Sequence, residues 1–362
     1  MKLAEDLLRR ALAQLERTPD SKLLPFAEFE LASVCLSDAV GKPREALAFL
    51  DRCSGRLAPD RDLQSRLGEM AVRAQIALED LPAAAERLAR LEKAFPDSPL
   101  TARSARRIAL KQEAADPAAA LKSYRVWLDR TETAAATTGE LQSVANALVR
   151  IARTLNHFED RVVSVVDLRG KAAPDPRPWK EASRALSRLA AAPDLPAKDQ
   201  VGVESQLAWS LGLSAGTAED WDRLKRHCDG LIAKHQLRAS GGGLSAPVLQ
   251  KERWLAGIVL EYGHALVQLG RAGQKYQFGN ALTAFNSLLP MTQAGKETWW
   301  IAQMLTLTTL FERGEGDDLR VAEAALSLIE GNYPEFDGGN YGVRDPLLRL
   351  KGELKAVRSP HR

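Results

Sequence analysis

Six places in this 362-residue chain bring together residue types that could do chemistry. Gly212-Leu213-Ser214-Ala215-Gly216 matches the spacing of a nucleophile elbow. That elbow needs a strand before the serine and a helix after it, so that the hydroxyl stands on a sharp turn. Here Leu207-Ala208-Trp209-Ser210-Leu211 reads as the end of a helix, and Thr217-x-x-Asp220 reads as a capping box opening the next one. The expectation is a turn between helices, with His235 and His264 downstream and nothing to align them with Ser214. Gly295-Lys296 echoes a phosphate loop, but Pro290 stands where the motif needs its first glycine and Glu297 where it needs Ser or Thr. Gly241-Gly242-Gly243 is a weak anion-nest candidate that reads as a loop. His227, Cys228 and His235 form the local cluster of metal-ligand types. His227 and Cys228 are helix neighbours that point to different faces, and no second cysteine pair or His-x3-His completes a tetrahedral set. A solvent-facing His227 and a partly packed Cys228 are expected. The carboxylate neighbours Glu79-Asp80 and Asp317-Asp318 fall at turns, where the macrodipole favours them as helix-start charges. No catalytic residue, cofactor or metal site is expected, and the chain reads as no enzyme.

Two further features point to recognition. Arg66 and Arg73, then Arg103, Arg106 and Arg107, then Arg150 and Arg153, recur at spacings that keep each set near one helix face. Guanidinium groups take carboxylates in two-point fashion, so these arginines are candidate partner-binding residues for an acidic segment. A solvated face, partly neutralised by Glu69 and Glu113, is the plainer alternative. In Trp299-Trp300 the neighbours diverge by about 100° on a helix. Trp299 suits a core with Met304 and Phe311, and Trp300 is the candidate interaction anchor.

The elements that must position these residues are helices. Leu3, Leu7, Leu8, Ala11 and Leu15 recur at steps of three and four, which predicts one apolar stripe. The rhythm returns in Leu63–Leu78, Leu141–Leu155, Trp254–Leu269 and Thr298–Phe311. Val162–Val166 is the one strand-like run. Prolines and glycines break the chain at short intervals, which predicts helices of about 12–18 residues. Two longer breaks, Gly170–Pro178 and Ser240–Gly243, predict segments 1–170, 179–240 and 247–362, with one continuous array as the alternative.

A repeat underlies the rhythm. Ala84-x3-Leu88-x2-Leu91-x4-Pro96 reappears as Ala322-x3-Leu326-x2-Ile329-x4-Pro334. Partial copies are Ala46/Leu50/Cys53, Ala120/Tyr124/Trp127 and Ala281/Phe285/Leu288. The small residue lets the two helices of a hairpin cross closely, and the large ones fill the space against the next hairpin. This pattern resembles the second helix of tetratricopeptide repeats, whose unit is about 34 residues. Leu67-Gly68 and Tyr262-Gly263 echo the large–small pair of the family's first helix, and Phe95-Pro96-Asp97-Ser98-Pro99 resembles repeat ends in bacterial cell-envelope members. The resemblance covers residues 27–130 and, more loosely, 250–335, while 140–240 carries helices without the signature. It implies an all-α, right-handed α-solenoid of antiparallel hairpins with a terminal capping helix, from about Asp345 to Val357. It also implies a concave groove for a peptide or protein partner. A structural subunit of a larger, envelope-type assembly is the competing expectation.

Composition narrows the classes. Apolar residues make up 45% and charged residues 27%, enough for a sizeable core. The net charge of +3 is spread evenly, so no block advertises nucleic acid. Three scattered cysteines form neither a disulfide framework nor a metal set. No run approaches the roughly 18 apolar residues of a membrane span. A cytoplasmic protein is expected, or a periplasmic one if a segment precedes Met1.

Overall fold

The structure is a computed structural model that describes residues 2–18, 21–57, 60–131, 136–156, 175–237, 253–336 and 343–358. Among the described residues every regular element is helical and no strand occurs. The chain divides into two compact units, Met1–Thr137 and Thr138–Arg362. Val162–Val166, Ser240–Gly243 and most of the Gly170–Pro178 break lie outside the described residues.

The first unit holds α1 (Lys2–Leu15), α2 (Leu24–Cys35), α3 (Pro43–Ser54), α4 (Arg61–Ala77), α5 (Leu81–Ala94), α6 (Pro99–Gln112) and α7 (Pro117–Thr131). Local chemistry sets the helix starts. Proline occupies the first turn of α2, α3, α5 and α6, where its missing N–H costs nothing. Asp60 accepts from the backbone N–H of Asp62 and Leu63, Asp80 from Ala83, and Ser98 from Leu100. Each such cap contributes about 1 kcal/mol. The helices pair as hairpins, α2 with α3, α4 with α5 and α6 with α7, and α4 also packs on α2 and α6. First helices therefore neighbour first helices, while α1 packs on the side of α2.

The register of the second helices explains the pairing. Ala46, Leu50 and Cys53 on α3, Ala84, Leu88 and Leu91 on α5, and Ala120, Tyr124 and Trp127 on α7 are all buried. Burying each of the large side chains contributes roughly 1.5–3 kcal/mol. Polar ties cross the seams. Buried Glu28 on α2 pairs with Arg52 and Arg56 at the end of α3, and Ser123 donates to Gln112 at 2.9 Å. The α1 stripe differs from expectation. Leu12 is buried and Leu8 and Leu15 half-buried, but Leu3 and Leu7 are exposed at 72% and 57%. The buried Glu5 takes the core-facing position instead, because it is tied to Arg9 and Lys42.

The second unit holds α8 (Thr138–Leu155), α9 (Pro176–Ala190), α10 (Ala197–Ser214), α11 (Ala218–Lys234), α12 (Arg253–Arg271), α13 (Gln277–Leu288), α14 (Glu297–Arg313), α15 (Asp318–Asn332) and α16 (Arg344–Arg358). The hairpin scheme continues, with α8 on α9, α12 on α13 and α14 on α15, and with α12 packed on both α10 and α14. The region expected to lack the repeat signature carries it. On α9, Ala182, Leu186 and Leu189 stand at the same spacing and are buried, and α11 replaces the alanine with Leu224 ahead of Cys228 and Leu231. Helix α16 packs on α14 and α15, as a capping helix should.

Candidate functional site

Helices α2, α4 and α6 bring their C-terminal ends together around a cleft of about 710 Å³. Leu36, Ile76, Leu81 and Leu110 give it apolar walls, and Leu110 is 46% exposed although large. Arg73, Arg107 and Lys111 supply positive charge, against Asp38 and Glu79. Each element places its cation by helical register. Arg73 stands seven residues beyond Arg66 on α4, and Lys111 four beyond Arg107 on α6, so each pair shares a face. Arg107 is held by the buried carboxylate of Glu69. Arg73 is half-buried and makes no ion pair among the described residues. Glu79 sits at the α4–α5 turn in the left-handed region, with φ +61°, which folds α5 back beside the cleft.

The structure thus joins two of the arginines singled out in the sequence, Arg73 and Arg107. Arg66 and Arg103 are exposed on α4 and α6 outside the cleft lining, and Arg106 is half-buried. Arg150 and Arg153 belong to α8, in the second unit. Sequence reading missed Lys111 and the apolar wall; the four-residue step from Arg107 was the available signal.

Trp300 is no surface anchor. It is 1% exposed, packed among Ile301, Met304 and Leu305, while Trp299 is the half-buried member. The rotation between neighbours is as expected, but the inward position falls to the second tryptophan. Ser214 ends α10 and donates to the Leu211 carbonyl at 3.0 Å, and the capping box of Thr217 and Asp220 opens α11. Gly295 takes φ +78° in the turn before α14. Asp80 caps α5 by accepting from the Ala83 N–H, while Asp317 stands at the start of α15 without a side-chain cap bond.

The histidine–cysteine cluster also differs from expectation. Cys228 is fully buried rather than partly packed, because it occupies a core register position on α11. His227 is half-buried, and its Nε2 is enclosed with no hydrogen-bond partner among the described residues. Burial pushes its imidazole down from the ordinary histidine range, against an opposing pull from Glu204. Glu204 is itself buried and lies 2.7 Å from His235 Nε2, with Gln200 donating at 2.8 Å and Lys234 completing the set. Burial raises this carboxyl, but the bonds from Lys234, Gln200 and His235 outweigh it and hold the group below its ordinary range. These groups tie α10 to the end of α11. Among the described residues no set of His, Cys, Asp and Glu is arranged to hold a metal ion. No described helix is long and apolar enough to cross a membrane.

No family model and no curated protein matches this chain. Among solved structures it is similar to a STAND signal-transduction ATPase with a tetratricopeptide-repeat sensor from Pyrococcus horikoshii. The identity is 12% and the TM-score 0.33, over 94% of this chain and 46% of that one. It is also similar to the Naa15/Naa10 assembly bound to HypK, at 12% identity and a TM-score of 0.21, over 98% of this chain and 68% of that one. This chain spans less than half the length of the ATPase. The hairpin fold rests on the helix pairing and register described above.

Proposed function

We propose that the chain is a non-catalytic interaction scaffold whose Met1–Thr137 unit holds a segment of another protein against α2, α4 and α6. The observation that carries this reading is the cleft of about 710 Å³ in which Arg73, Arg107 and Lys111 surround an apolar wall. Exposed leucine beside cations suits a segment that alternates apolar and acidic side chains. The apolar groups leave water, and guanidinium binds carboxylate by two parallel hydrogen bonds. A rim charge of this kind acts on specificity and encounter rate. Arg73 is the lead contact, because Arg107 is already engaged by Glu69.

The test is fluorescence anisotropy with a labelled dodecapeptide of alternating glutamate and leucine, using the whole chain. Arg73→Glu and Lys111→Glu are each expected to weaken binding about tenfold, which corresponds to about 1.4 kcal/mol. Raising salt should weaken the native chain more than the variants. Equal binding by all three proteins at low salt would refute the reading.

A further inference from the structure

The Thr138–Arg362 unit carries a different recess. A cleft of about 380 Å³ lies between α14 and the end of α15, with Trp299, Gln303, Leu328, Asn332 and Tyr333 around it. No Asp, Glu, Lys, Arg or His side chain lines it. The Trp299 and Tyr333 rings stand 5.7 Å apart at 51°, so they splay rather than stack. Buried Trp300 braces both from behind, with centroids 5.0 Å from each. Leu328 is 69% exposed at the mouth, and Val321, two turns earlier on the same face of α15, is also exposed. The place of Leu328 in the repeat register is taken by arginine on three other second helices, Arg52 on α3, Arg90 on α5 and Arg188 on α9.

We infer that this cleft takes a proline-rich segment of a partner protein in the polyproline II conformation. Charge complementarity makes the first selection. Burying an ionised side chain against a lining with no counter-charge is costly, so the occupant is uncharged. Hydrogen bonding makes the second. The Gln303 amide, the Tyr333 hydroxyl and the Trp299 indole N–H have no hydrogen-bond partner among the described residues, and Asn332 uses one amide hydrogen on the Leu328 carbonyl at 3.0 Å. A polyproline II segment has no internal hydrogen bonds, so its carbonyls need such donors. The carbonyls of a docked helix are already satisfied. Geometry makes the third, since two splayed aromatic faces form the kind of groove that seats pyrrolidine rings. A neutral oligosaccharide also uses aromatic faces and amides, but the exposed Leu328 in the lining offers its hydroxyls nothing.

The experiment uses the whole chain and a fluorescein-labelled decaproline peptide, followed by anisotropy, with a Gly-Ser decapeptide and maltohexaose as the comparison probes. Decaproline should bind and the other two should not. Leu328→Glu and Gln303→Glu, both away from the core, should each weaken binding about tenfold with unchanged thermal unfolding. Arg73→Glu, in the other unit, should leave it unaltered, so failure here is separable from failure of the acidic-segment reading. Decaproline binding that ignores both cleft variants, no binding at about 1 mM peptide, or binding of maltohexaose in its place would each overturn the proposal.

Discussion

Gly68 on α4 faces Leu91 on α5 so closely that a Cβ added to the glycine would lie 2.9 Å from Leu91 Cγ, and nearer still to its Cδ2. Gly263 on α12 stands in the same relation to Phe285 on α13, 2.6 Å from Cζ. In both hairpins the first helix gives up a side chain so that a large residue of the second can fill the gap.

Alanine at either glycine should therefore destabilise the protein. Added methyl volume in a packed seam costs typically 1–3 kcal/mol, against ~1 kcal/mol gained in helix propensity. Gly263→Ala should be the worse of the two, because the fully buried Phe285 ring has less room to turn than Leu91. Gly352→Ala on α16 is the control, since no atom lies within 4 Å of its Cβ position. It should raise the melting temperature, and a fall there would disprove the packing explanation for the other two.

Acidification should weaken the protein from about pH 6.5 downward through His227. Burial holds this imidazole below its ordinary value. In the unfolded chain it binds a proton near pH 6.5, so the unfolded state takes up that proton first and stability falls as the pH drops. His227→Gln should flatten the profile of denaturant midpoint between pH 7 and about pH 5.5. An unchanged slope would show that another group is responsible.

A second acid step should come from Asp318. It accepts from Arg313 through both oxygens, at 2.6 and 2.7 Å, and from the Glu315 backbone N–H at 3.0 Å. The Arg313 guanidinium holds the carboxyl below its usual range. Its contribution is present above pH ~4 and is lost as the pH falls through the depressed value. Asp318→Asn should cost roughly 1–3 kcal/mol at pH 7 and progressively less as the pH falls below ~4, as read by urea unfolding across the acid range.

Ser214→Ala should leave stability within about 0.5 kcal/mol of the native chain and leave peptide binding unchanged. Its hydroxyl only returns a bond to Leu211 at the end of α10. A hydrolytic activity abolished by this substitution would revive the elbow reading.

Much of the fold was legible before any coordinates. Ala84, Leu88 and Leu91 announce their helix because burial on one face forces the three- and four-residue spacing. The same register stands on α9 in Ala182, Leu186 and Leu189, with Pro193 one residue early behind them, and flanking alanines at 185, 190, 191 and 192 blur the small–large pattern. The α1 stripe misled for the opposite reason: Leu3 and Leu7 keep perfect period, yet what they face is decided by the Glu5 ties to Arg9 and Lys42. The cleft was half legible. Arg73 and Arg107 stood out by type and spacing, but the apolar wall draws residues from three helices and one turn, which no local pattern links. Trp300 shows the limit of a helical wheel. It tells that two neighbours diverge, and only the packing of Tyr333 and Met304 tells which one points inward.

The buried cysteines give the protein a built-in reporter. Cys35 and Cys53 are sealed in the first unit and Cys228 in the second, all three as free thiols at 0% exposure. Burial lifts the Cys53 thiol to about 11 and raises the other two. A thiol reagent can reach them only when the surrounding helices part. The pace of alkylation at each site therefore times the opening of its own unit, with no residue changed.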